Sequence, residues 1–411
     1  MDVLNMRCAG LDVHKKVVVA AVIALDAQGR LCRETRSFGT MTAELLTLSD
    51  WLSCYGVTHV AMESTGEYWK PIYNILESNF AVLLCNAQHV ANVPGRKTDV
   101  NDAEWLAELL RHGLVKASFV PPQEQRELRE LTRMRTTFVH ERVNLVNRLQ
   151  KVLESANIKL ASVATDVMGV SGRAMLEALA TNQGSSAQEM AELAQGRLRN
   201  KREALAQALE GRVRPHHRFL LTELLCQIDS LDETIARCNA QIEAYRRPFE
   251  EAVLLLDTIP GVGPAVAEVI VAEIGVDMSR FPSAKHLAAW AGVAPGNNES
   301  AGKHRSGKTR HGDRSLKTTL IQAAHAASHT KGTYLAAQYR RLSARRGVRK
   351  AAVAVAHSIL EIAYYLIQRH EPYRELGANY FDQLRPEAVT KRLVRRLEQL
   401  GYTVALQAQA A

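Results

Sequence analysis

The sequence predicts an α/β domain followed by a mostly helical remainder. Three observations predict it. Residues 1–120 carry short apolar runs of strand length, interleaved with helical patterns. From Pro121-Pro122 onward, apolar residues recur at helical spacing over long stretches. A turn-rich polar stretch at 292–317 then separates two alanine-rich helical patterns.

Cys8–His14 and Val17–Ile23 read as strands. Arg30–Phe38 alternates and reads as a third, after the turn Asp26-Ala-Gln-Gly29. Thr42–Tyr55 is a helical pattern, Val57–Met62 a strand, Tyr68–Asn79 a helix and Phe80–Cys85 a strand. Asn101–His112 is an amphipathic helix with Ala103, Leu106, Ala107 and Leu110 on one face. Three hairpin-joined strands followed by αβαβα is the element order of a ribonuclease-H-like fold.

The acids follow that order. Asp12 lies on the first strand, Glu63 at the end of the strand Val57–Met62, and Asp99 and Asp102 three apart at a helix start. In such a fold the first and fourth strands are central neighbours and the last helix crosses their ends, so the four acids would converge. Two carboxylates about 5 Å apart repel by roughly 3 kcal/mol at an effective dielectric near 20. Such a cluster calls for divalent cations, and hard oxygen ligands suit Mg²⁺ or Mn²⁺. Taken singly, each acid reads equally well as a surface or strand-end residue, and Asp99 or Asp102 as a helix cap.

Gln123–Asn157 and His216–Tyr245 are long helical patterns flanking short helices over 158–215. They read as an antiparallel coiled-coil arm or as a plain bundle. Ile259-Pro-Gly-Val-Gly263-Pro264 sits between two helical patterns and reads as a helix-hairpin-helix, whose turn amides suit a phosphate. A dinucleotide loop is excluded there, because the third glycine and the βαβ setting are absent. Residues 302–309 satisfy the letters of a phosphate-binding P-loop, but no strand precedes them and Arg310-His-Gly-Asp follows where a helix should start. Leu316–Ala327, Tyr334–Leu342 and Ala351–Gln368 are helical, and the tail after Val404 reads as frayed.

Charge is unevenly spread. Residues 301–350 hold thirteen Lys/Arg against one acid, Asp313, whereas the whole chain is only +9. The rest of the chain is therefore net acidic, and the basic window is the electrostatic footprint of a nucleic-acid partner. The six cysteines are scattered without a CxxC pair, which argues against zinc and disulfides and for buried thiols. No run reaches the roughly 18 apolar residues of a membrane span. With no signal peptide visible, a cytoplasmic protein without a membrane partner is expected.

Five anchors, in this order, resemble the DEDD-type insertion-sequence transposases, the bridge-RNA-guided recombinases. They are Gly10-Leu-Asp12-Val-His-Lys, Met62-Glu63-Ser-Thr-Gly66, Lys97-Thr-Asp99-Val-Asn-Asp102-Ala, Ile259-Pro-Gly-Val-Gly263 and the loop Pro295–Lys317. The resemblance implies a RuvC-like domain over 1–120 with Asp12, Glu63, Asp99 and Asp102 holding Mg²⁺. It further implies a coiled-coil arm over 121–250 and a C-terminal transposase domain over 251–411. The family's P-x₄-S-x-G-K pattern falls on Ser300 as nucleophile, not on Ser306 or Ser315. Strand exchange through a phosphoserine, in a dimer to tetramer guided to donor and target DNA by a structured RNA, is what the resemblance implies. Lys303, Arg305, Lys308 and Arg310 are candidates for neutralising phosphate charge. Two rival classes share the anchors: a metal-dependent nuclease or junction resolvase that uses water, and a non-catalytic nucleic-acid-binding protein.

Overall fold

The computed structural model describes residues 3–407, apart from 27, 64–65, 87–89, 91–100, 182–184, 297, 301–302, 310 and 385. The chain divides into two compact units, Met1–Pro121 and Pro122–Ala411.

The first unit is built on β1 (Cys8–Val13), β2 (Val17–Leu25), β3 (Leu31–Gly39), α1 (Thr42–Cys54), β4 (His59–Glu63), α2 (Trp69–Leu76), β5 (Ala81–Cys85) and α3 (Asp102–Arg111). The five strands form one mixed sheet in the order β3-β2-β1-β4-β5. β1 runs antiparallel to β2 and parallel to β4. The β2–β3 turn is set by Asp26, whose Oδ1 accepts from the Gln28 and Arg30 amides. The strands β1, β2 and β4 are apolar on both faces because both are covered. Ala9, Leu11, Val13, Val60 and Met62 pack with α1 and α2, whereas Cys8, Ile23 and Ala61 pack with α3. A mixed five-stranded sheet with helices on both faces agrees with the ribonuclease-H-like order expected.

The second unit opens with α4 (Gln123–Ser155), followed by the short helices α5 (Leu160–Val163), α6 (Val170–Thr181), α7 (Ala187–Glu192) and α8 (Arg202–Leu209), then α9 (Pro215–Tyr245). α4 and α9 are antiparallel, since Leu128 packs with Ile242, Arg142 pairs with Asp232, and Ser155 meets His217. With 33 residues, α4 is roughly 50 Å long. The short helices bury Leu160, Met175, Leu176 and Leu205 against its far end.

Next come α10 (Glu250–Asp257), α11 (Pro264–Ile274), α12 (Ala284–Trp290), β6 (Asn298–Ser300), β7 (Lys303–Ser306), α13 (Arg314–His329), α14 (Tyr334–Arg346) and α15 (Val348–Arg369). α15 is long and apolar enough to cross a membrane, contrary to the expectation from the lengths of the apolar runs, and half of its most apolar stretch is buried. Val355, Ile359, Leu360 and Ala363 make it the central helix of this core. α16 (Tyr380–Gln383) and α17 (Pro386–Gln399) follow.

Of the six cysteines, only Cys8 and Cys85 are buried; Cys54 and Cys226 are exposed, so the expectation of buried thiols holds in part. Burial pushes the Cys8 thiol up to about 11 and that of Cys85 to about 12.

Candidate active site

In the first unit, β1 and β4 pair with Leu11 opposite Met62. Asp12 and Glu63 therefore occupy the next register position, at the C-terminal ends of two central parallel strands. Leu11 and Met62 face α1 and α2, so Asp12 and Glu63 belong to the opposite face, the one α3 crosses. Gly10 sets how closely α3 lies: a Cβ there would meet Ala103 O at 2.2 Å and Ala107 N at 2.4 Å. That approach holds Ala103, and with it Asp102, over the strand ends. Asp12 is partly buried, and its Oδ2 lies 3.1 Å from His14 Nε2.

Asn101, not Asp102, caps α3, its side chain accepting from the Ala103 amide. The other acids of α3 face the sheet edge: Glu104 accepts from Thr35 and Glu108 from Arg33, each at 2.8 Å. Asp99 lies outside the described residues. Among the described residues, no three acidic, histidine or cysteine side chains draw together as a metal site. The candidate donors assigned to this face, Asp12, Glu63 and Asp102, are carboxylates, the ligand type a hard divalent cation takes.

In the second unit, the stretch expected to be a loop contains a small sheet. β6 and β7 are antiparallel, and Ser300, the last residue of β6, pairs with Lys303, the first of β7. The register shifts between Asn298 and Glu299, so Arg305 is the extra residue of a bulge. The hairpin stands on a closed neck, because a Cβ on Gly312 would meet Gly292 N at 2.3 Å and Ala291 C at 2.5 Å.

The neck is rooted in two core helices. Leu287, Ala288, Ala291 and Val293 are buried on the α12 side, and Leu316 and Leu320 on α13. Asp313 caps α13 by accepting from the Leu316 amide, and Lys317 Nζ donates to Thr309 Oγ1 at 2.7 Å. A short polar hairpin on a fixed neck suits a reacting group better than a free loop does. Lys303 and Arg305 lie in β7 and Lys308 is exposed beyond it; Arg310 lies outside the described residues. The P-loop letters span this hairpin strand, with no helix starting before Arg314.

A DEDD transposase family model of the IS110 type matches residues 9–158, which take in the sheet from Ala9 onward and α3. The model of the IS116/IS110/IS902 transposase family matches residues 253–340, which take in the hairpin and its neck. The chain belongs to the IS110/IS116/IS902 transposase family. Like the rest of that family, it is a DNA phosphoryl-transfer enzyme. It is 28% identical over 323 residues to the "Probable family 20 transposase" of Pseudomonas aeruginosa, covering 77% of this chain and 85% of that one. It is 26% identical over 326 residues to the "Transposase for insertion sequence element IS1111A" of Coxiella burnetii, covering 77% and 79%. A "Pilin gene-inverting protein" of Moraxella lacunata is 29% identical over 163 residues, 37% of this chain and 46% of its own.

Proposed function

We propose that this transposase cuts and rejoins DNA strands through a covalent bond to Ser300. The observation that carries the proposal is the hairpin: a serine ends β6 opposite Lys303, above a neck closed backbone to backbone by Gly292 and Gly312. In the reaction, Ser300 Oγ forms a bond to phosphorus and gives up its proton. The bond from phosphorus to one sugar oxygen breaks, and that oxygen leaves as a hydroxyl after taking a proton. A sugar hydroxyl from a second strand then reverses the step, so one phosphodiester is exchanged for another.

Lys303, Arg305, Lys308 and Arg310 neutralise the phosphate oxygens, a role met by charge and reach alone. Asp12, Glu63, Asp99 and Asp102 would hold Mg²⁺ or Mn²⁺. When bound, such ions polarise the phosphate being attacked. The DEDD domain is of a typically metal-dependent kind, and we assign the first unit a RuvC-like role. We take α4 and α9 as the coiled-coil arm and 250–274 as a helix-hairpin-helix holding DNA phosphate. The exposed Arg345, Arg346, Arg349 and Lys350, where α14 meets α15, extend the phosphate-binding surface. Guidance by a structured RNA, and an assembly of two to four copies, complete the proposal.

Inversion of a DNA segment, the activity in the name of the Moraxella relative, leaves no broken ends. That favours strand exchange over hydrolysis for this chain as well. The test is to incubate the full-length protein with DNA flanking its coding region and RNA transcribed from it. The reaction is stopped with denaturant and the peptides are mapped by mass spectrometry. A nucleotide remnant on Ser300 is the expected result. Cut DNA without any protein-linked nucleotide would replace the proposal by a metal-dependent nuclease or junction resolvase using water.

A further inference from the structure

The basic window 301–350 contains one acid, Asp313. It directly follows Gly312, which closes the neck of the hairpin. Its Oδ1 caps α13, and its Oδ2 accepts a hydrogen bond of 2.9 Å from Arg133 Nη2. Arg133 lies on α4, early in the long helix, and is held there by a second acid. Its Nε donates to Glu273 Oε1 at 2.7 Å and its Nη2 to Oε2 at 2.8 Å. Glu273 is fully buried on α11, and Arg129 also pairs with it and donates to its backbone carbonyl. A planar guanidinium whose Nε–Nη2 edge is held bidentately by a buried carboxylate is fixed in orientation.

We propose that Arg133 is a positioning residue for the serine hairpin, fixing its neck to α4 through Asp313. The assignment rests on Ser300 being the nucleophile for its effect on rate, and on geometry alone for its effect on the neck. Three elements far apart in sequence, α4, α11 and the start of α13, meet at this guanidinium. Loss of the bridge lets residue 313, and the closed neck next to it, shift relative to α4. Reaction rates are steep in such displacements, with an error of about 1 Å costing about 10²-fold.

Two substitutions isolate the bridge. Asp313→Asn keeps a good capping oxygen for α13 and removes the charge that Arg133 holds. Arg133→Lys keeps the charge beside Glu273 and loses the fork. With full-length protein, the flanking DNA and its transcript, each variant is expected to slow covalent adduct formation by roughly tenfold or more. DNA affinity should stay within about twofold, so the loss is in rate at saturating DNA. The double variant should be no slower than the worse single one, because both remove the same bridge.

Backbone amides of 292–312 should exchange hydrogen faster in both variants without any DNA present. Wild-type adduct rates and unchanged exchange in Asp313→Asn overturn the proposal, as do losses that multiply in the double variant. The exchange measurement decides the neck anchor even if adduct mapping assigns the nucleophile elsewhere. Should Arg133→Lys fail to fold, Asp313→Asn decides it alone.

Discussion

Ser300→Ala is expected to abolish the covalent protein–DNA complex, a loss on the order of 10³-fold or more, while DNA binding stays within about twofold. In the proposed reaction the serine hydroxyl oxygen bonds to phosphorus, and alanine has none. In the proposed reading, phosphate contacts come from cations along 303–310 and the basic α14–α15 junction, so affinity is carried by other groups. Ser306 ends β7 and Ser315 lies in the first turn of α13. Alanine at either position should leave the adduct at or near the wild-type level. The comparison needs denaturing gels of labelled DNA and a binding assay run on the same proteins. Adduct formed by Ser300→Ala at the normal rate would remove Ser300 from the chemistry.

Gly10→Val is expected to disable the acid face and destabilise the first unit together. The new Cβ would meet two backbone atoms of α3 and, at 2.8 Å, Leu106 Cβ. Backbone cannot swing aside as a flexible side chain can, so α3 must lift from β1. Overpacking of this kind costs about 1–3 kcal/mol, and a β-branched residue lies at the upper end. Lifting α3 also carries Asp102 away from Asp12 and Glu63. Adduct formation is expected to fall about 10²-fold even at temperatures where the unit remains folded. Thermal unfolding and adduct kinetics on Gly10→Ala and Gly10→Val should show graded losses. Wild-type behaviour of Gly10→Val would mean that α3 does not lie on this part of the sheet.

Much of the first unit was legible in the sequence because its strands are apolar runs with turn residues between them. The order of strands then followed, and with it the neighbouring ends that carry Asp12 and Glu63. Asp102 was legible as a helix start, whereas the capping role belongs to Asn101. The hairpin at 298–306 was not legible: its strands are three and four residues long, polar, and interrupted by a bulge. Neither helix 284–290 nor helix 386–399 was legible as an element of its own. The first is a short alanine-rich stretch inside a larger apolar pattern, and the second is a charged helix with no buried face.

The supports of the site were hidden for a different reason. Gly10 could be quoted as part of a motif, but its meaning lies in the helix that passes over it. Arg133 and Asp313 are 180 residues apart, and no local pattern joins them. The only hint was one acid in a strongly basic window, which helix capping alone would have explained.

The acids Asp12, Glu63, Asp99 and Asp102 and the hydroxyl of Ser300 are proposed to serve one and the same strand-exchange reaction. The most direct test is adduct formation by Asp12→Asn, with DNA saturating and Ser300 intact. Adduct below about a hundredth of the wild-type rate, with DNA still bound, is the predicted result. Adduct on Ser300 at the wild-type rate would contradict the account.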